Sequence, residues 1–61
     1  MVEKIYYIEN SNALELAIDS IAGLFPCWIE KEFIEMNYVK ITLHIRTEDL
    51  ASAEDILAPL V

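Results

Sequence analysis

Cysteine occurs once in this 61-residue chain, glycine once and histidine once, and four basic residues stand against eleven acidic ones. Each scarcity excludes something. A lone Cys27 cannot form an intrachain disulfide, and with His44 as the single histidine, zinc sites of the finger or four-thiolate kind fail on ligand count. With one glycine and two prolines, no stretch reads as a linker, and no internal repeat is present. A net charge of -7 argues against duplex DNA or an anionic membrane as a direct partner. The opening residues Met1 to Ile5 mix polar and apolar types, so neither a signal peptide nor a spanning segment is expected, and a cytoplasmic location is the default expectation.

What is present is apolar material: 56% of the chain is hydrophobic, which a disordered acidic chain would not carry. At this length one domain, 1–61, is the limit, and its core is small. Association between chains is the remaining common support for such a fold.

Val2 to Glu9 reads as a strand with two partly apolar faces, Val2, Tyr6 and Ile8 on one and Ile5 and Tyr7 on the other. Asn12 and Glu15 have capping-box spacing, predicting a helix from Ala13. Its buried stripe is Leu14, Ala17, Ile18, Ile21 and Phe25, with Leu16 outside it, and Gly23 followed by Pro26 ends the run. Cys27 to Ile34 reads as a second strand, with Lys31 interrupting its apolar side and suggesting a bulge there. Glu35-Met36-Asn37 reads as a hairpin connection in which Asn37 takes positive φ. The cleanest signal follows: Val39, Ile41, Leu43 and Ile45 alternate with Tyr38, Lys40, Thr42, His44 and Arg46. Thr47 is placed to cap a last helix from Glu48 to about Ala58, buried through Leu50, Ala53, Ile56, Leu57 and Leu60, and Pro59 stops it.

A right-handed crossover followed by a hairpin puts the third strand between the first two, with both helices on one face. The expected fold is therefore α+β, a β-α-β-β-α split βαβ layout: ferredoxin-like without its last strand, and with an open edge on the first strand. The run Glu15-Leu-Ala, then Ile-Ala-Gly-Leu-Phe-Pro, Val39-Lys-Ile-Thr-Leu, Glu48-Asp-Leu-Ala and Ala53-Glu-Asp-Ile-Leu-Ala resembles a family of small prokaryotic signal-transducing proteins. Those show a Gly-Ile-Pro turn after the first helix, which Gly23-Leu24-Phe25-Pro26 lengthens by one residue. The resemblance covers most of the chain and implies no catalytic residue.

No constellation of residues specifies a reaction. Cys27 and His44 lie on opposite faces in this register, so a nucleophile and base pair is not expected, and Cys27 reads as a buried thiol. A metal at His44 with Glu30 or Glu32 would lack a second His or Cys. The adjacent acids Glu48-Asp49 and Glu54-Asp55 diverge around the helix and read as a solvated face. Hence no enzyme, cofactor or metal is expected.

Two surfaces remain. The open sheet face is expected to carry Trp28, Tyr38, Lys40, His44 and Arg46, with Lys4 and Tyr6 beside them. Aromatic and basic groups suit RNA bases, but Glu30, Glu32 and the total charge oppose RNA. A protein-docking patch of Trp28, Tyr38 and Ile34 is the expected use, for another protein or a second copy. The expected role is a regulator or adaptor acting as a homodimer. The helix side offers Glu15, Asp19, Glu48, Glu54 and Asp55 at spacings near a phosphate repeat. The alternative is thus an acidic nucleic-acid mimic, such as a phage-encoded inhibitor of host defence.

Overall fold

A computed structural model describes all residues, 1–61. Strand β1 (Val2–Glu9) leads to helix α1 (Asn12–Leu24), strands β2 (Cys27–Glu35) and β3 (Tyr38–Ile45), helix α2 (Thr47–Leu57) and a closing 3-10 turn (Ala58–Leu60). β3 is the central strand, antiparallel to β1 on one side and to β2 on the other. This is the expected α+β layout, a three-stranded open sheet with two helices.

The period-2 pattern of β3 explains its position. Val39, Ile41, Leu43 and Ile45 are all buried, and they meet Leu14, Ala17 and Ile21 of α1, Ala53 and Leu57 of α2, and Ile8 of β1. Fully burying a Val, Leu or Ile side chain, as eight of these ten positions do, stabilises by about 1.5–3 kcal/mol each. The ten buried residues are all apolar, and no buried side-chain polar atom lacks a partner. Leu16 is exposed, as its place off the α1 stripe predicts.

β1 presents Val2, Lys4, Tyr6 and Ile8 opposite the buried residues of β3, so this is its helix-side face. Lys4 and Tyr6 therefore do not lie on the open sheet face; Ile5 and Tyr7 take those places. A hydrogen bond selects the orientation, because the Tyr6 hydroxyl donates to Glu54 Oε2 on α2 at 2.9 Å.

Several boundaries differ from expectation, each for a local reason. Ser11 caps α1, accepting from the Leu14 amide at 3.1 Å, so the helix starts one residue early and the Asn12–Glu15 box does not form. α1 runs through Gly23 and stops where Phe25 turns extended, the conformation that a residue before proline favours. The irregularity in β2 falls between Phe33 and Glu35, at Ile34 and not at Lys31. Lys31 instead extends past the sheet toward Glu15 and over the Phe33 ring. Met36 takes the positive φ of 51° in the hairpin. Asn37 is held elsewhere, its carbonyl accepting from the Asn10 amide at 2.6 Å and its side-chain amide donating to the Asn10 carbonyl at 3.1 Å. Thr47 is the first residue of α2, not its cap; the cap position is Arg46.

Candidate functional site

The uncovered face of the sheet is built from four rows of side chains, each crossing β1, β3 and β2 in turn. They are Glu3–His44–Trp28, Ile5–Thr42–Glu30, Tyr7–Lys40–Glu32 and Glu9–Tyr38–Glu35. No helix covers them, because both helices pack on the other side. Trp28 is 67% exposed, Tyr7 60%, Tyr38 48% and Ile5 45%, four large apolar side chains left uncovered on one face. Sequence reasoning brought Trp28, Tyr38, Lys40 and His44 to this face, and the structure places all four on it, with Trp28 and Tyr38 in its first and last rows. It missed Ile5 and Tyr7, whose signal was the apolar second face of β1.

Three of the titratable side chains on this face meet at His44. His44 sits between two carboxylates, with Nε2 at 2.8 Å from Glu30 Oε2 and Nδ1 at 3.5 Å from Glu3 Oε1. The two contacts use opposite ring nitrogens, so the three groups do not converge on one point. Arg46 lies just past the end of β3, not on the face, and its guanidinium grips Asp49 Oδ2 through Nε at 2.8 Å and Nη2 at 2.7 Å. That contact ties the first turn of α2 and raises the Arg46 pKa further. Lys40 is the one basic side chain of the face without an ion pair, against Glu3, Glu9, Glu30, Glu32 and Glu35. The open face therefore carries aromatic and apolar side chains interleaved with carboxylates.

The acidic residues of the helices are not one surface of free charge. Glu54 accepts from Tyr6, and this contact, after burial, pushes the Tyr6 hydroxyl up to about 12. Glu15 pairs with Lys31 at 3.8 Å, and with Asp19, Ile18 and Lys31 it lines a shallow depression on the α1 flank. Glu48 and Asp55 stay exposed and without ion pairs, as does Asp19.

Cys27 and His44 lie on opposite faces of the sheet, since Cys27 pairs with Ile45 while Trp28 pairs with His44. Cys27 is half-buried at the margin of the core, not fully buried as expected; its thiol lies 3.9 Å from the Ile21 carbonyl, and this partial burial raises its pKa. A thiol so placed is held protonated, away from the only imidazole.

No helix is long and apolar enough to cross a membrane. Compared with models of protein families, with curated proteins and with solved structures, the chain matches none.

Proposed function

We propose that the chain is a non-enzymatic protein-interaction module, a small cytoplasmic regulator or adaptor that works as a homodimer and docks a protein partner on its open sheet face. The carrying observation is the display of Ile5, Tyr7, Trp28 and Tyr38 on one uncovered face. Aromatic side chains supply most of the binding energy in protein interfaces, through a few central anchors. The carboxylates of Glu3, Glu9, Glu30 and Glu32, interleaved with these side chains, select a partner that offers basic groups beside its apolar ones. The resemblance to small prokaryotic signal-transducing proteins points in the same direction.

Affinity capture with the tagged chain, followed by direct binding measurements on the recovered partner, tests this reading. Trp28→Ala or Tyr38→Ala should each weaken binding by a factor of ten or more, since anchors of this kind contribute roughly 2 kcal/mol or more. Reversing charge at Asp19, Glu48 and Asp55 should leave binding within a few-fold. The opposite pattern, with binding that collapses between 0.1 and 1 M salt as the Debye length shortens from about 10 Å to about 3 Å, would instead support the nucleic-acid mimic. Glu54 is left unchanged in that set because it holds Tyr6.

A further inference from the structure

We propose that two copies of the chain join through the outer edges of their β1 strands, antiparallel about a two-fold axis at Ile5, giving a continuous six-stranded sheet. The inference rests on the homodimer in the reading above and adds the surface, the register and the charge contact that hold it.

The backbone states which groups are available. Asn10 and Asn37 continue the β1–β3 register by one position, and the Asn10 amide donates to the Asn37 carbonyl. In an antiparallel pair, residues that exchange hydrogen bonds alternate with residues that do not. Ile8, Tyr6 and Lys4 therefore direct their amides and carbonyls at β3, and Glu3, Ile5, Tyr7 and Glu9 direct theirs at the open edge. β1 is regular along its whole length and contains no proline. Such an edge is a template for another strand.

Side chains then choose the register. With the axis at Ile5, its amide and carbonyl exchange with those of its copy, and Glu3 exchanges with Tyr7 of the other protomer on either side. On the helix side, Lys4 faces Tyr6 of the other protomer, and Val2 faces Ile8. Shifting the axis to Tyr6 sets Glu3 against Glu9 twice, and shifting it to Lys4 sets that lysine against itself; like charges directly opposite are destabilising. An axis at Tyr7 opposes no like charges but sets Lys4 against Asn10, whereas the Ile5 register gives Lys4 a partner. Lys4 has no ion pair within its own protomer. Opposite Tyr6 it comes beside the Glu54 carboxylate that the Tyr6 hydroxyl holds.

The other contacts a second copy might use are less suitable. β2 carries the irregularity at Ile34, and the register centred on Lys31 sets that lysine against itself and Glu30 against Glu32. Stacking two open faces would bring their carboxylates together. Pairing through β1 leaves both open faces on one side of the six-stranded sheet, with the two Ile5 side chains adjacent at its centre and Trp28 on the strand farthest from the axis.

Light scattering at tens of micromolar should give the dimer mass. Ile5→Pro should give a monomer with an unchanged circular dichroism spectrum, because the amide that proline lacks points away from β3. Lys4→Glu, which leaves the backbone intact, should weaken association roughly tenfold at low salt and less at high salt. In a Cys27→Ser background, oxidation should cross-link Ile5→Cys across the axis, where the paired Cα atoms stand about 5.5 Å apart, inside the span a disulfide bridges. Tyr7→Cys alone should not cross-link. A wild-type monomer at high micromolar concentration overturns the proposal, as does a dimer that cross-links through Tyr7→Cys or Phe33→Cys instead. If Ile5→Pro unfolds, the cross-link pattern still decides. A monomer that binds its partner through Trp28 would sink this dimer and leave the docking face standing, whereas a β1 dimer whose partner ignores Trp28→Ala would do the reverse.

Discussion

At the scale of single residues, Tyr6 is the side chain that fixes how β1 lies, and it gives the protein a stability signature at high pH. Its hydroxyl is held protonated by burial and by donation to Glu54, so its pKa in the fold, about 12, exceeds the ordinary value near 10. A group with a raised folded pKa contributes fully below its unfolded pKa and loses that contribution as pH climbs through the folded one. Tyr6→Phe should thus cost about 1 kcal/mol at pH 7–9, and the gap to wild type should close between about pH 10 and 12. Urea titrations of both proteins across that range measure it; a gap that stays constant to pH 12 would mean that folding does not raise the Tyr6 pKa. Ser11 makes a second, simpler case. Ser11→Ala removes the acceptor for the Leu14 amide and should cost about 1 kcal/mol, while Asn12→Ala should cost far less, by the same measurement. The sequence could not separate these two because Ser11 and Asn12 are both good caps. The choice depends on where the chain leaves β1, and on Asn10 being held by Asn37.

At the scale of elements, legibility followed how one-sided each element is. β3 alternates without exception, and both its central position and its buried set were readable. The stripes of α1 and α2 were readable for the same reason. β1 was not, because Val2, Tyr6 and Ile8 on one face balance Ile5 and Tyr7 on the other, and only a contact with α2, distant in sequence, breaks the tie. The place of the β2 irregularity was also hidden: a lysine can stay on the core side of an edge strand when its ammonium reaches out to Glu15 and over Phe33, so Lys31 did not force a bulge. These assignments imply a contrast in stability. Ile41→Ala, in the central strand and buried, should cost about 2–5 kcal/mol. Trp28→Ala, outward on β2, should cost less than about 1 kcal/mol despite the larger side chain removed. Chemical denaturation of the two variants in the Ile5→Pro background avoids any contribution from association. Equal costs would show that Trp28 is part of the core and that β2 is out of register.

At the scale of the whole molecule, the two sides of the sheet divide the work. One side buries a small core under the helices, and the other keeps four large apolar side chains in water at a cost in solubility that the surrounding carboxylates offset. The open face was legible in part: Trp28, Tyr38, Lys40 and His44 were placed on it from the alternation of β2 and β3. Its acidic character was not, since it depends on Lys4 turning to the helix side and on Arg46 leaving the strand for Asp49. Trp28 is the single tryptophan of the chain, which makes it a reporter on the face itself. Because it lies on the strand away from the proposed two-fold axis, dilution of the dimer to monomer should leave its emission unchanged. Adding the captured partner should shift Trp28 emission to shorter wavelength, saturating with the same affinity as an independent binding measurement, as the indole leaves water. Saturable binding of that partner with Trp28 emission unmoved would contradict the assignment of the open sheet face as the docking surface.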